Sequence, residues 1–179
     1  MNKIKCHYSD PLSYYKIAYF LKDYIDNNTL IMCIGTDRCI GDCLGPLVGT
    51  FLKENSFPLP VFGTINKPIH ALNISENIKK IRTKYKDYKI IGIDACLGDT
   101  DSIGEIEVRD FPIHPGKGVG KSLPHIGEIS IIGIIDSSEN NELFSNRNIR
   151  LNLVMNISKV ITHAIIHSYY LYSLNEKTS

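Results

Sequence analysis

Continuous apolar runs of strand length recur along the chain. Leu30–Ile34, Val61–Ile65, Lys89–Ala95 and Ile129–Ile135 are runs of this kind, and such runs are typical of strands that are buried on both faces of a parallel sheet. Glu105–Arg109 instead alternates apolar and polar residues. This alternation predicts a strand with one wet face, at a sheet edge or in a hairpin.

Segments with apolar residues at helical spacing separate these runs. They cover residues 11–27, 46–53, 73–88 and the stretch from Leu151 to about residue 172, and each predicts an amphipathic helix. The order α-β-α-β-α-β-β-β-α predicts one α/β domain over residues 1–179, with an N-terminal helix at 11–27 and a core over about 30–172. Three layers, α/β/α, are expected around a mostly parallel sheet.

The composition removes several classes of function. Twenty Lys and Arg nearly balance 19 Asp and Glu, so we expect no nucleic-acid partner and no anionic membrane partner. No apolar run approaches the roughly 20 residues of a bilayer span, and no signal-peptide core follows the first lysines, which predicts a cytoplasmic protein. Five cysteines are an odd number and indicate free thiols. Cys33 and Cys96, inside apolar strands, are expected to act as small core residues.

Two aspartates occupy the most informative positions. Asp42 follows the strand at 30–34, and Asp94 ends the apolar run that begins at Lys89. Ligands of open parallel sheets bind beyond the carboxyl ends of the strands, and two carboxylates that share a proton there can activate water and protonate a leaving group. The alternatives are a helix N-cap for Asp42 and a turn acceptor for Asp94. Asp37 is a third candidate, and Arg38 would neutralise its charge.

Other motifs are less specific. Gly116–Ser122 ends like a phosphate-binding P-loop, but position 115 is proline and Pro124 blocks the helix that should follow, so nucleotide binding is rejected. A glycine-rich loop that exposes backbone N–H groups to a ligand, or a plain connector, remains. His70, His114 and His125 are predicted in loops, where a histidine can orient a carboxylate or complete a metal site. His163 and His167, four residues apart, and the tyrosine-rich segment 169–172 would suit an interface.

These motifs together carry a family resemblance. The stretches Gly35–Gly49, Lys67–Ala71 and Ile113–Lys121 resemble the sporulation protein YyaC family (DUF1256) of spore-forming Firmicutes, over about residues 30–165. That family is similar to the spore germination protease and to HybD-like hydrogenase maturation proteases. The resemblance implies their α/β/α sandwich, of the phosphorylase/hydrolase-like kind. It also implies that Asp42 and Asp94 form a catalytic dyad.

The expected function is therefore that of a sporulation- or germination-associated peptidase in the cytoplasm of the forespore or spore core. Its substrate would be a protein or peptide, such as the small acid-soluble spore proteins, with no cofactor. One alternative is a regulator that binds a protein or peptide without catalysis; another is a protease that uses a divalent metal at Asp42, Asp94 and a histidine. Oligomeric state is not predicted. The candidate binding residues are Asp37, Arg38, His70, His114, Gly116, Gly118 and Gly120.

Overall fold

The computed structural model describes residues 2–113, 125–139 and 148–178, with side chains up to residue 176. Six strands and four α-helices lie in these ranges. They are β1 (Lys3–His7), α1 (Ser13–Leu21), β2 (Thr29–Cys33), α2 (Leu44–Glu54), β3 (Val61–Phe62), α3 (Ile74–Lys84), β4 (Lys89–Gly98), β5 (Glu105–Arg109), β6 (Ile129–Ser137) and α4 (Leu151–Thr178). Short 3-10 turns occupy Gly41–Cys43 and Thr100–Ser102.

The six strands form one mixed sheet in the order β1-β5-β6-β4-β2-β3. Strands β3, β2, β4 and β6 are parallel to their neighbours in this series, whereas β5 is antiparallel to both β6 and β1. The α/β class expected from the sequence is confirmed, and the sheet is mixed, with three parallel and two antiparallel pairings among the described strands. Three of the four apolar runs form the central strands β2, β4 and β6, whose two faces are both covered. The fourth run, Val61–Ile65, contributes only the edge strand β3.

Helices cover both faces of the sheet. Side chains alternate along each strand, so Ile31, Ile91 and Ile131 pack on one face with the apolar residues of α1, α2 and α4. Leu30, Met32, Ile90 and Ile132 pack on the opposite face with α3. The apolar core is therefore divided into two clusters by the sheet, as the predicted layering requires.

Strand β1 was not predicted, and its presence corrects the interpretation of β5. Because β1 pairs with β5 from Lys3 to His7, β5 is an interior strand rather than an edge. Its wet face has a different origin, since Lys3 Nζ lies 3.5 Å from Glu107 Oε1 and Lys5 Nζ lies 3.1 Å from Glu105 Oε2. Cross-strand ion pairs thus take the place of a helix on that face.

Three further boundaries differ from the prediction. The first helix ends at Leu21 instead of residue 27, because the backbone N–H groups of Tyr24 and Ile25 both donate to the Leu21 carbonyl and the chain then turns toward β2. Strand β3 has only two residues, since Thr64 and Lys67 exchange backbone hydrogen bonds in a reverse turn. Helix α3 spans 74–84 rather than 73–88.

No helix among the described residues is both long enough and apolar enough to cross a lipid bilayer.

Candidate active site

The candidate site lies at the carboxyl ends of β2 and β4, where the chain direction across the sheet changes. From β2 the chain passes through α2 to β3, which lies on one side of β2. The next strand, β4, lies on the opposite side of β2, and β6 follows beyond β4. Such a reversal leaves a crevice beyond the strand ends, which is the usual ligand position in open α/β sheets. Asp42 follows β2, and Asp94 belongs to β4.

Asp94 is not the last residue of its strand, contrary to the prediction. Strand β4 continues to Gly98, paired with β6 and interrupted by a register shift between Cys96 and Leu97. The ladder with β2, however, ends where Cys33 faces Ile93. Asp94 is therefore the first residue of β4 beyond that ladder, and it still lies beside the crevice.

Gly35 brings the Asp42 loop back onto the end of β2. Its φ is +135°, and a Cβ at this position would overlap the backbone carbonyl of Asp42 and lie 3.1 Å from Pro46 Cδ. The next residue, Thr36, donates its backbone N–H to the Asp42 carbonyl over 2.9 Å. Only glycine fits such a close approach at this φ without strain.

The Asp42 side chain does not cap α2. It lies in the 3-10 turn Gly41–Cys43, and neither this turn nor α2 has a side-chain N-cap hydrogen bond. The alternative prediction that Asp42 is a helix N-cap is therefore wrong. Asp94 makes a local contact, in which the backbone N–H of Ala95 donates to Asp94 Oδ1 over 2.9 Å.

Burial raises the pKa of both carboxyl groups. The pKa of Asp42 is raised to about 6 by burial, against the opposing effect of the Thr36 N–H. Burial raises the pKa of Asp94 well above its ordinary value, and the negative charge of Asp42 raises it further. Neither carboxylate forms an ion pair with another described residue. The charge of Asp42 thus acts on Asp94, and the raised pKa of both groups favours retention of a proton by the pair.

Cys96 is a member of the site that the sequence interpretation missed. It is half-buried, whereas Cys33 is fully buried as predicted. Cys96 lies two residues after Asp94, on the same face of β4. Burial and then the Asp94 charge raise the pKa of its thiol to about 11. The alternation of side chains along β4 was the available signal, because it places residues 94 and 96 together.

Two thiols also flank Asp42. Cys39 is half-buried and Cys43 is buried. Burial, followed by the charges of Asp37 and Asp42, raises the pKa of Cys43. Cys43 is thus a protonated, weakly reactive neighbour of the carboxylate at neutral pH.

The other predicted site residues are distributed as follows. Asp37 and Arg38 are exposed on the loop that leads to Asp42. His70 is half-buried and adjoins the same loop, because the Gly35 N–H donates to the carbonyl of Ile69 over 2.8 Å. Its Nδ1 accepts the backbone N–H of Leu72 at 3.3 Å. His114, Gly116, Gly118 and Gly120 lie outside the described residues, and His125 is exposed.

Among the residues that the structure describes, no three His, Cys, Asp or Glu side chains are arranged to hold a metal ion. Asp42 and Asp94 are two potential oxygen ligands, so a metal here would need a further ligand from elsewhere.

Fold and site together define an α/β protein with a partly buried pair of interacting carboxyl groups at the switch point of its sheet. Residues 5–164 match the family described as Protein of unknown function (DUF1256), and the chain belongs to that family. It is also similar to the protein named Uncharacterized protein YyaC of Bacillus subtilis (strain 168), with 43% identity over 137 residues that cover 76% of this chain and 67% of that protein. No solved structure matches the chain. The predicted membership of the YyaC family is thereby confirmed, while its relation to the germination protease and the HybD-like proteases stays a prediction.

Proposed function

We propose that the protein is a peptidase of sporulation or germination, in which Asp42 and Asp94 hydrolyse a peptide bond with one shared proton. The observation that carries this proposal is the effect of Asp42 on Asp94, since burial and the charge of Asp42 together raise the pKa of Asp94. Acid and base roles need two groups whose environments separate their protonation. By the family resemblance, the substrate is a protein such as a small acid-soluble spore protein, in the forespore or spore core.

The proposed roles follow from the two pKa directions. Asp42, with a pKa of about 6, is ionised at neutral pH and accepts a proton from water. The water oxygen attacks the peptide carbonyl carbon while protonated Asp94 donates its proton to the carbonyl oxygen. When the tetrahedral intermediate collapses, the C–N bond breaks, the amine nitrogen takes the proton from Asp42, and the intermediate returns a hydroxyl proton to Asp94.

Exposed apolar side chains beside the site support a peptide substrate. Ile40, on the Asp42 loop, is 46% exposed, and Leu72, just after His70, is 78% exposed. Apolar groups at the rim of a polar site are typical of surfaces that contact a substrate chain. Ile40 and Leu72 would contact the side chains of the substrate residues that flank the cleaved bond.

The test is cleavage of unfolded spore proteins and of a mixed peptide library, followed by mass spectrometry of the products. Asp42→Asn and Asp94→Asn should each lower the rate by about 10²- to 10⁴-fold, as expected for loss of a general acid or base, and the double variant should be little worse than either. Asp87→Asn is the control, because it removes an exposed carboxylate just before the amino end of β4, away from the site; its rate should stay within a few-fold of the parent rate. Equal rates for the parent, Asp42→Asn and Asp94→Asn would refute the dyad.

A peptide-binding regulator on the same fold is the second candidate, favoured by the exposed Ile40 and Leu72. In that case the parent protein cleaves nothing but retains peptides, and Ile40→Ser or Leu72→Ser weakens retention. The metal-dependent alternative predicts instead that EDTA abolishes cleavage and that one added divalent metal restores it.

A further inference from the structure

A cluster of aromatic side chains lies on the outer surface of α1 and α4, away from the candidate site. The members of this tyrosine patch are Tyr14, Tyr15, Tyr19, His163, His167 and Tyr170. His167 links the two helices, because its ring centroid lies 5.8 Å from those of Tyr14 and Tyr15 and 6.1 Å from that of Tyr170. Tyr19 stacks on Tyr15 with a centroid distance of 6.3 Å. The rings are therefore held in one arrangement before any partner binds.

The patch differs from an ordinary helix surface. Along α4, His163, Ile166, His167 and Tyr170 follow the spacing i, i+3, i+4, i+7 and line an open groove of about 340 Å³ together with Tyr14. The outer stripe of a surface helix usually carries charged residues. Here the charged residues of α4 with described side chains are Lys159, one turn before His163 on the same stripe, and Glu176, beyond Tyr170 and off the stripe.

We propose that the tyrosine patch is a homodimer interface, with a second copy of this chain as its occupant. The exposed fractions of Tyr14, Tyr15, Tyr19 and Tyr170 are 39%, 45%, 57% and 54%, which is roughly 400 Å² for side chains of this size. Leu12 and Leu174 at its borders are 57% and 41% exposed and, with the histidines, raise the area to about 600 Å² per chain. Two such surfaces reach the total of about 1,000 Å² that a specific interface needs.

The charges around the patch favour a second copy over a charged partner. A twofold interface brings each surface against itself, so any uncompensated charge near its centre would face a like charge. At the border of the patch, Lys16 pairs with Asp10 at 2.7 Å, and Lys22 pairs with Asp23 at 3.4 Å and lies over the Tyr19 ring. Lys159 lies at the end of the patch, roughly 16 Å along α4 from Tyr170, so a twofold axis near Tyr170 places no uncompensated charge against its own copy.

The segment proposed from the sequence is only partly involved. Tyr169 donates its hydroxyl to Asn27 Oδ1 over 3.0 Å and packs against Phe57, and Tyr172 packs on Tyr169. These two tyrosines stabilise the fold, whereas Tyr170 faces outward. Successive side chains of an α-helix point about 100° apart, so the neighbouring residues Tyr169 and Tyr170 face different surroundings.

The test is sedimentation equilibrium of the full chain up to about 100 μM, because dimerisation depends on concentration. The parent should approach twice the chain mass of 20.2 kDa. Tyr170→Glu should weaken association at least about 30-fold, the effect of losing a central aromatic contact. Tyr170→Phe keeps the ring and should associate like the parent.

Leu151→Glu is the matched control, since Leu151 is 50% exposed on the same helix but lies roughly 28 Å along it from Tyr170. It should dimerise like the parent. Circular dichroism checks that all variants are folded. A monomeric parent at the highest concentration, or equal association of Tyr170→Glu and Leu151→Glu, would overturn the proposal, and neither result bears on the peptidase proposal.

Discussion

Aspartates lie at both edges of the β2–β4 pair of strands, and the two edges differ in how these side chains are neutralised. At the amino ends, Asp26 precedes β2 and its Oδ2 lies 2.6 Å from Nζ of Lys89, the first residue of β4. The Thr29 hydroxyl and the Asn28 N–H also donate to Asp26 Oδ1. At the carboxyl ends, Asp42 and Asp94 have no ion pair among the described residues and interact with each other.

The pKa directions show what this difference means for folding. Burial alone would raise the pKa of Asp26, but Lys89, Thr29 and Asn28 outweigh it and the pKa is lowered. The pKa values of Asp42 and Asp94 are both raised. At neutral pH the charge of Asp26 therefore stabilises the fold, whereas the charge at the other end costs stability. Groups that a fold holds at such a cost are candidates for function.

The largest effect is expected at Gly35, where the backbone of the Asp42 loop packs closely against the end of β2. Gly35→Ala should lower the free energy of unfolding by about 3 kcal/mol, because it adds a Cβ at a positive φ against a backbone carbonyl that cannot rotate away. Urea unfolding of the parent and the variant at neutral pH measures the difference.

The control for this change is Gly98→Ala, also near the carboxyl edge. A Cβ at Gly98 would meet side-chain atoms of Ile134, the nearest at 2.9 Å, and such atoms can adjust. Gly98→Ala should lower the free energy of unfolding by less than half as much as Gly35→Ala. Similar costs for the two variants would mean that the Asp42 loop relaxes easily and is not held by Gly35.

The sequence predicted the central strands and the main helices because their apolar residues have only one way to be buried. It did not predict β1, since Ile4 and Cys6 are two apolar residues in a five-residue segment and their role depends on a partner 100 residues away. Asp42 and Asp94 were predicted from their positions relative to apolar runs. The effect of the Asp42 charge on Asp94, and the position of Cys96 beside Asp94, depend on strand register and on burial, neither of which is local.

The second prediction concerns how the Asp42 carboxylate makes the free energy of unfolding depend on pH. Asp42→Asn should raise the free energy of unfolding at pH 8 by roughly 1 to 3 kcal/mol, since it removes a buried charge. The folded pKa of about 6 exceeds the unfolded value, so the protonated carboxyl stabilises the fold at about pH 4 and this contribution is lost as the pH rises through about 6. The higher free energy of unfolding of Asp42→Asn should thus develop as the pH rises from about 4 to about 6.

Urea unfolding at several pH values from about 4 to 8 measures this dependence. Asp37→Asn, an exposed change in the same loop, should not show this gain in stability, because it removes no buried charge. The same variant that gains stability should lose activity in the peptide assay. A stability difference that is equal at all pH values would show that Asp42 is not held in a desolvated position.

The smallest effect is expected at the amino ends of the same strands, and it has the opposite sign. Asp26→Asn should lower the free energy of unfolding at neutral pH by less than about 1 kcal/mol, because the Asp26 and Lys89 side chains are 31% and 42% exposed and solvent weakens their attraction. Since the folded pKa is lowered, this contribution is present above the unfolded pKa and is lost as the pH falls through the folded value. Asp10→Asn, which removes a more exposed partner of a lysine, should give no measurable change. If Asp26→Asn and Asp42→Asn moved stability in the same direction as the pH rose, the two ends would not differ electrostatically, and the case for a functional carboxyl pair would lose its physical basis.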